Sequence, residues 1–580
     1  MANIFNSIRT NKPKKTIFQL DHENLLSGEI GWLMPVQIHP TLPFEKWSGK
    51  TEVFIRLAPL MYPIYARVNS YIHHFFMPER LLWQGWQEFI TGGKDGNSDI
   101  VYPRIGVTGA LIREIPECFA PSSLYDYLGF PAFSKEDLNF IENDDTHVLF
   151  DLDILPFLAY QKIWQNYYAD QTLTDFKLDD DYLIPDNFGY VKGLQFMSTT
   201  PMPGTEFMSI IDFLKYIMTL RNRAWEKDYF TSALPTPQRG DDVNLPLVGN
   251  ASVNFDSATV DASNMLTPPL KIVDEDGHNV SNLGAFTTDS QGFVETNNRK
   301  YVGFSPTGDR GKLPITGQGT VDLSDARMVS INELRRGFSV QRFKEVLART
   351  GYRYRDYIYG IFGGLSSDSR LQRPEYLGGG KAPIVIGEIL QTSQTTESSP
   401  LGEMAGKGVG AASDNGFKYR TEEHGYIISI MSVIPRSSYS QGLNRLFTKF
   451  DKTDYGNPLF AHLGEQEVKN SELYLSYHTL GGNFQNLEKN DKTFGYQSRY
   501  AEYKYCPNTI HGDFRTSLNR WHMSRQFDTN PGLNHYFVTV NPKEVNRVFA
   551  VETDVNHLWI QVYNKVRALR PLPKYGTPRL

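Results

Sequence analysis

The chain has 580 residues, a net charge of −6 and an aromatic content of 13%. Its 47 glycines and 33 prolines, together with 36 Phe and 32 Tyr, favour short strands joined by many turns over a helical bundle or a parallel α/β enzyme. No apolar run approaches the roughly 20 residues that span a bilayer, and residues 1–15 lack a signal-peptide core, so we expect a protein that is made and kept soluble.

The two ends of the chain are basic, although the whole chain is acidic. Residues 1–15 and 565–580 contain nine Lys and Arg residues and no acid, which leaves 50 basic against 65 acidic residues between them. Such ends are typical of tails that meet a polyanion, or of solvated termini, and both interpretations stay open. The basic residues are Arg9, Lys12, Lys14 and Lys15 at the start and Lys565, Arg567, Arg570, Lys574 and Arg579 at the end.

The first part of the chain predicts extended structure. Residues 16–47 are consistent with two extended segments separated at Ser27-Gly28. From Arg67 to Met77 both alternating sets of side chains are bulky and apolar, which predicts a strand covered on both faces and ended by Pro78. A short helix with an apolar stripe through Leu82, Trp86, Phe89 and Ile90 should follow, with Gly92-Gly93 as its left-handed exit.

Four further helices are predicted from apolar spacing and end signals. The sequence places them at about 121–129, 155–173, 206–224 and 330–351. Ser330 and Glu333 have the spacing of a capping box, and Ile331, Leu334, Phe338, Phe343 and Leu347 supply a buried stripe for the last helix. Between about 240 and 327, by contrast, Gly, Asn, Asp, Ser and Thr dominate and periodicity disappears, which predicts a long functional or disordered loop.

Several blocks of sequence carry a resemblance to a known family. The stretch from Thr51 to Gly93 contains RVNSYIHHFFMPER and WQEFITGG. It is followed by SLYDYLGFP, DYFTSALPTPQ, PLGEMAGKGV and EEHGYIISIMSVIPR, in the same order as in that family. The blocks extend from about residue 16 to the end of the chain. Taken together, they resemble the major capsid protein family of the Microviridae, small single-stranded-DNA bacteriophages, and most closely its gokushovirus-like branch.

The resemblance implies a fold, a domain organisation and a location. The fold is mainly β: an eight-stranded antiparallel jelly roll, the viral β-sandwich, with large helical and loop insertions. Residues 1–239 would form the first part of the core, 240–326 a surface insertion that protrudes from the capsid, and 327–580 the second part with a C-terminal tail. The protein would reside in the virion after assembly in the host bacterial cytoplasm.

The resemblance also implies a function and a set of partners. Copies would assemble into a T=1 icosahedral shell around a circular single-stranded DNA genome, without enzymatic activity, cofactor or metal. The partners would be an internal scaffolding protein, a pilot protein, a small basic DNA-binding protein and a bacterial host surface receptor contacted by the protrusion, with no membrane. Within the shell, the nine basic residues of the two ends would face the DNA.

Motifs that could carry chemistry have simpler interpretations. The runs Gly378–Lys381 and Gly406–Gly410 miss the phosphate-loop and dinucleotide spacings, so we interpret both as tight turns. Asp179-Asp180-Asp181 is typical of a solvated acidic turn. His73 and His74 are neighbours in a strand, so their rings must point to opposite faces and cannot share a metal. We find no catalytic constellation.

Two other functions compete with the capsid interpretation. A soluble β-sandwich carbohydrate-binding protein or glycoside hydrolase would also be rich in aromatic residues and acids, and paired carboxylates cannot be located from sequence. That class leaves the ordered sequence blocks unexplained. A nucleic-acid-binding protein acting alone is disfavoured by the net charge of −6, because such domains are usually strongly basic.

Overall fold

The computed structural model describes residues 14–94, 98–178, 184–186, 188–194, 209–240, 331–350, 354–362, 367–390, 404–476, 489–551 and 555–575, with seven short strands between 251 and 321. By internal contacts the chain divides into two compact units, Met1–Arg239 with Lys344–Leu580 and Gly240–Phe343. The predicted acidic turn at 179–181 and the cap at Ser330 lie outside the described residues.

The strands of the first unit are β1 (Thr16–Gln19), β2 (His22–Gly28), β3 (Met34–Thr41), β4 (Lys46–Leu57), β5 (Val68–Pro78), β6 (Arg104–Thr108), β7 (Val148–Asp153), β8 (Tyr190–Lys192), β16 (Glu375–Leu390), β17 (Met404–Ser413), β18 (Phe417–Arg420), β19 (Gly425–Pro435), β20 (Glu465–Lys469), β21 (Thr493–Ser498) and β22 (Leu558–Arg570). Between them in the chain, the second unit contains β9 (Ala251–Asn254), β10 (Ala258–Val260), β11 (Leu266–Thr267), β12 (Val294–Thr296), β13 (Arg299–Tyr301), β14 (Leu313–Ile315) and β15 (Gln318–Val321). The helices are α1 (Trp86–Thr91), α2 (Gly109–Glu114), α3 (Pro116–Phe119), α4 (Leu124–Tyr127), α5 (Asp137–Phe140), α6 (Leu155–Tyr167), α7 (Ile210–Ile217), α8 (Ile331–Thr350), α9 (Tyr354–Phe362), α10 (Asn470–Leu473), α11 (His535–Val538) and α12 (Pro542–Val545).

One large sheet organises the first unit. Its strands follow the order β1-β22-β4-β17-β16-β5-β19-β3, with β2 also paired to β22 and β18 to β4. All of these pairs are antiparallel. The 16-residue strand β16 pairs with β5 through its first part and with β17 through its second, so it joins two halves of a curled sheet. The architecture is mainly β and consistent with a jelly-roll sandwich, as expected.

The core lies inside the curl. β4 and β22 alternate strictly between buried and exposed residues, which sends one set of side chains inward. Ile55 and Val562 from these strands belong to the same buried cluster as Met431 and Val433 from β19. Burial of apolar side chains from both halves closes the sandwich.

β5 and β19 are covered on both faces, as the sequence predicted for the strand after Arg67. Their outer faces carry Phe75 and Ile428, which belong to a second cluster with the helical layer. α6 contributes Leu158 and α7 contributes Phe213 to that cluster. The helices therefore form a second layer on the outer side of this half of the sheet.

The ends of several helices are set by side-chain caps and turns and not by the extent of the apolar spacing. α4 begins after Ser123, whose Oγ accepts the backbone N–H of Asp126 at 3.4 Å. α7 begins after Ser209, whose Oγ accepts the N–H of Asp212 at 3.1 Å, so this helix is shorter than the predicted 206–224. α6 ends at Tyr167 rather than 173, because the Asp170 carboxylate accepts the N–H of Thr172 at 3.0 Å and forms a turn.

The helix predicted after β5 is interrupted. A 3₁₀ turn at Glu79–Leu81 precedes α1, and Gly92 adopts the predicted left-handed conformation with φ 78°. Of the predicted apolar stripe, Leu82 is buried and Trp86 packs partly against the core, whereas Phe89 and Ile90 are 38% and 49% exposed.

α8 begins at Ile331 as predicted, but its stripe is not buried. Phe338 is 66% and Phe343 44% exposed. Helical spacing identifies an apolar face and does not say what covers it.

The two glycine runs are strands and not tight turns. Gly378, Gly379 and Gly380 lie in β16, opposite β5, and Gly378 has φ +143° at a bulge between Tyr376 and Gly378. A Cβ at Gly379 would overlap the carbonyl oxygen of Ile72 on the facing strand. Glycine is needed here because two strands approach each other closely. The prediction of tight turns considered only the spacing of the glycines along the chain.

The second unit contains short strands where the sequence predicted a loop. β9 pairs with β15, β12 with β13, and β10 with both β11 and β14. These strands have only two to four residues, too few for an alternating pattern to appear in the sequence. The boundaries 240–326 for a protruding insertion stay a prediction.

Candidate interaction surfaces

The predicted basic tail at the end of the chain is largely a strand. Lys565, Arg567 and Arg570 lie in β22, and Lys574 follows it as an exposed residue. Neither interpretation as a tail fits Lys565–Arg570, because apolar residues alternate with the cations and pack this segment into the sandwich core. The DNA-facing role of these cations stays a prediction. Lys14 and Lys15 are exposed before β1, whereas Arg9, Lys12 and Arg579 lie outside the described residues.

β22 places its cations beside those of neighbouring strands. Lys565 lies opposite Lys50 of β4, and Arg567 lies opposite Ser48, whose other neighbour is Lys418 of β18. Directly opposed residues of antiparallel strands share one face of the sheet. Six of the cations on this side of the sheet lie close together and define the basic sheet face: Lys46, Lys50, Lys418, Arg420, Lys565 and Arg567.

Aromatic side chains continue the same face. Tyr563 lies opposite Glu52, and Trp559, which is 45% exposed, lies opposite Arg56. The Lys565 ammonium is 5.3 Å from the centroid of the Tyr563 ring. Glu52 is the counter-charge, with its Oε1 3.0 Å from the Lys565 Nζ. Cations interleaved with exposed rings are the composition of sequence-independent single-strand binding surfaces.

Arg570 belongs to a different environment. Its Nε is 3.2 Å from the Oε1 of Glu45, which is fully buried, and its Nη2 donates to the carbonyl oxygen of Pro40 at 3.0 Å. The guanidinium also lies 4.9 Å from the centroid of the Trp47 ring. These contacts make Arg570 the counter-ion of a buried carboxylate.

The histidine pair faces both ways, as predicted. The His73 Nδ1 lies 2.8 Å from the Tyr168 hydroxyl under the helical layer. The His74 side chain is fully buried within the sandwich, where its Nε2 contacts the Asp414 carboxylate and its Nδ1 lies 2.6 Å from the Ser429 Oγ. That hydroxyl also accepts the Gln37 amide at 2.6 Å.

Ser429, His74 and Asp414 have the residue types of a nucleophilic triad, but their setting is structural. Ser429 is 0% exposed, so no substrate reaches its hydroxyl. Asp414 also accepts the backbone N–H groups of Thr51 and Gly416, each at 3.0 Å. The three side chains therefore join distant strands through fully used hydrogen bonds. Sequence reasoning missed this network because its members are distant in the chain: His74 and Asp414 are 340 residues apart.

Glu79, which is buried, and Asp153, which is half-buried, are two carboxyl groups with raised pKa values. Burial is the main cause that raises the pKa of Glu79 to about 7, and the nearby Asp153 adds to it. Burial also raises the pKa of Asp153, whose Oδ1 accepts the Tyr102 hydroxyl at 3.0 Å. Among the residues that the structure describes, none forms a hydrogen bond with the Oε2 of Glu79, although Glu79 is only 7% exposed. Glu79 therefore remains neutral to a higher pH than an exposed glutamate.

The described residues were also compared with the requirements of metal sites, membrane-spanning helices and reactive thiols. Within the ranges that the structure describes, no three or more His, Cys, Asp or Glu side chains gather into a possible metal site. None of the helices in those ranges is both long and apolar enough to cross a membrane. Cys118 and Cys506 are free thiols, the first buried and the second exposed.

Comparison with known proteins gives one family over almost the whole chain. A family model described as capsid protein (F protein) matches residues 6–580. The capsid protein VP1 of Chlamydia phage 1 is 29% identical, with 100% of this chain and 98% of the relative covered. VP1 of Bdellovibrio phage phiMH2K is 30% identical over 94% of this chain and 92% of the relative, and VP1 of Spiroplasma virus 4 is 27% identical over 99% and 97%.

Proposed function

The chain belongs to the phage capsid protein (F protein) family, and from that membership we propose how its surfaces serve the shell. It is a structural major capsid protein of a gokushovirus-like microvirus and resides in the virion. Its copies assemble into a T=1 icosahedral shell around a circular single-stranded DNA genome. The observation that carries this conclusion is the family match over residues 6–580, together with the curled antiparallel sheet.

The basic sheet face is the part of the shell protein that we assign to the genome. Its six cations lie beside exposed rings, on a chain that is otherwise acidic, so it is a local attraction for a polyanion. Lys565 and Arg567 belong to this face, and Lys14, Lys15 and Lys574 lie exposed at either end of the described chain. We include Arg9, Lys12 and Arg579 on their charge alone. Arg570 has the weakest case, because its charge is already used by Glu45.

The remaining partners follow from the family and not from any contact in this chain. They are an internal scaffolding protein, a pilot protein and a small basic DNA-binding protein. Residues 240–326 would form the protrusion that contacts a bacterial host receptor. The proposed role is structural, without catalysis. Ser429, His74 and Asp414 have the residue types of a catalytic triad, and their burial supports a structural role for them.

The decisive experiment is negative-stain electron microscopy of the full chain co-expressed with the internal scaffolding protein. We expect uniform hollow icosahedral particles. Monomers or dimers alone, with the scaffold shown to be present, would refute the shell-forming role and favour a screen of glycan ligands.

A second experiment addresses the basic residues. Particles built from a chain without residues 1–15 should package less DNA than the full chain. A matched variant with the four cations of that segment replaced by Gln separates loss of charge from loss of length. Unchanged packaging by both would refute the role of the first basic stretch.

A further inference from the structure

One exposed surface of the first unit is far more apolar than a solvated face requires. Residues 443–463 and 503–505 meet there, since Gly456 donates to the Tyr503 hydroxyl and one pocket is lined by both stretches; we name it the loop surface. Nine of its large side chains are between 38% and 88% exposed. They are Leu443, Leu446, Phe447, Phe450, Tyr455, Leu459, Leu463, Tyr503 and Tyr505.

The exposed apolar area reaches the size of an interface. With about 200 Å² for each aromatic side chain, the five aromatic residues alone expose roughly 650 Å². The largest apolar patch of a typical monomer is about 300–600 Å², and a stable interface takes about 800 Å² from each partner. With its leucines added, the loop surface matches one side of a standard interface.

The loop surface is held in place by its own polar contacts. Arg499 donates to the carbonyl oxygen of Thr453 at 2.9 Å, and the Tyr500 hydroxyl donates to the same oxygen at 3.1 Å. The Gly456 N–H donates to the Tyr503 hydroxyl at 3.3 Å, and the Lys449 ammonium is 3.7 Å from the centroid of that ring. A surface ordered before binding loses little conformational entropy when it is covered.

A pocket opens beside the loop surface. It has a volume of about 540 Å³, and its wall includes Leu446, Phe447, Tyr505 and Cys506. That volume is within the range of natural ligand sites and accommodates an aromatic side chain.

The charge around the loop surface is positive. Residues 441–463 and 499–515 contain six Lys and Arg against four Asp and Glu. Arg445 is paired with two buried carboxylates, Glu472 at 3.0 Å and Glu502 at 3.9 Å. Without Arg445 and Glu502, five cations remain against three acids. The cations are Arg445, Lys449, Lys452, Arg499, Lys504 and Arg515.

A complementary segment lies elsewhere in the same unit. Residues 134–149 contain five acids and one lysine, and in their middle Phe140 is 86% exposed at the end of α5. The segment is fixed to its surroundings, since Arg113 donates to the carbonyl oxygen of Ile141 at 2.7 Å. The acids are Glu136, Asp137, Glu142, Asp144 and Asp145.

We propose that the acidic segment 134–149 of one copy binds the loop surface of a second copy, with the Phe140 ring in the pocket beside Cys506. This inference rests on the capsid role, which places many copies side by side. The contact joins two different surfaces, so it is heterologous and closes into a ring when the rotation between copies allows. The four leucines of the loop surface favour a protein partner over DNA, because aliphatic side chains offer no ring on which bases stack.

The first test compares thiol labelling of Cys506 in purified particles and in gently dissociated full-length protein. We expect about tenfold slower labelling in particles, because the pocket is covered there. Cys118 is the internal control, since it is 6% exposed and burial raises its thiol pKa to about 12. Its continued lack of reaction shows that dissociation has not unfolded the chain. Equal labelling of Cys506 in both samples would overturn the proposal.

The second test identifies the segment that covers the pocket. Phe140→Cys should form a disulfide with the native Cys506 of a second copy in oxidised particles, visible as linked dimers on a non-reducing gel. Asn139→Cys retains the Phe140 ring and keeps the test valid where Phe140→Cys blocks assembly. Cys506→Ser in either background should abolish the dimers. Tyr536→Cys, at a residue 82% exposed elsewhere, should give none. Protection of Cys506 without such dimers would assign the surface to another occupant, DNA or scaffold included, and overturn the proposal.

The third test exchanges charges. Lys452→Glu with Lys504→Glu should lower the particle yield about tenfold, and Glu136→Lys with Glu142→Lys should restore it. Lack of rescue in chains that fold normally would count against the pairing. If wild-type particles form but show no protection of Cys506, no disulfide dimers and no charge rescue, only this contact is refuted. If wild-type particles do not form at all, the shell-forming role itself is refuted.

Discussion

Glu79 gives the most quantitative prediction, because a single substitution isolates its proton. The folded state raises the pKa of this carboxyl from 4.5 to about 7, so folded protein binds the proton more tightly than unfolded protein. Stability from this group is therefore complete below about pH 4.5 and falls as the pH rises towards 7, above which no more is lost. Glu79→Gln removes the titration while it keeps the shape.

The magnitude follows from the two pKa values. The difference between 4.5 and about 7 corresponds to about 3 kcal/mol at the upper end of that pH range. The neutral amide avoids the cost of a buried charge beside Asp153. Relative to wild type, Glu79→Gln should therefore gain about 3 kcal/mol between pH 4.5 and pH 8.

Hydrogen exchange of the backbone amides around Glu79 is the suitable assay, because it measures local opening free energies without requiring the whole chain to unfold in one step. Both proteins should be measured at pH 5 and pH 8, after correction for the intrinsic pH dependence of exchange. A difference between the two proteins that is the same at both pH values would refute the raised pKa. Asp151→Asn, on an exposed carboxylate near the end of β7, is the control and should show no such gain.

Three further predictions concern the sheet. The double variant Lys50→Ala with Lys565→Ala should weaken the salt dependence of single-stranded DNA binding at unchanged melting temperature. The slope of log binding constant against log salt concentration should fall in magnitude by about 1.4, since each phosphate contact contributes about 0.7. An unchanged slope would exclude these residues from the DNA contact. Asp414→Ala should destabilise the shell protein by about 3–5 kcal/mol, measured as a fall in the denaturation midpoint. The reason is that the buried Thr51 N–H, the part-buried Gly416 N–H and the buried His74 imidazole lose their acceptor. A loss below about 1 kcal/mol would contradict the structural role. Gly379→Ala should prevent particle formation, whereas Gly387→Ala, where an added Cβ meets nothing within 4 Å, should assemble normally.

Sequence reasoning succeeded where a feature is local. The strand after Arg67 and the left-handed exit at Gly92 each depend on residues within a few positions of one another. It failed where the partner is distant in the chain. The glycines of β16 are required by β5, about 300 residues earlier, and the end of the chain became a strand because β4 and β1 flank it.

The candidate surfaces show the same division. Charge counts located the basic ends, but only the register of β22 against β4 brings Lys565 beside Lys50. The exposure of Phe338 and Phe140 was equally outside the reach of periodicity, because a pattern of apolar residues does not reveal whether the same chain covers them. The resemblance identified the family, and the strand register showed which charged residues are neighbours.

The position of β22 has a consequence for synthesis on the ribosome. β1, β2 and β4 all emerge early, yet each takes β22, the last strand in chain order that the structure describes, as its neighbour. Until that strand emerges, nascent chains expose open sheet edges, and such edges attract chaperones and one another. A message cut short upstream of β22 therefore yields no finished sandwich. We therefore expect only chains translated through Arg570 to complete the sheet and join the growing shell.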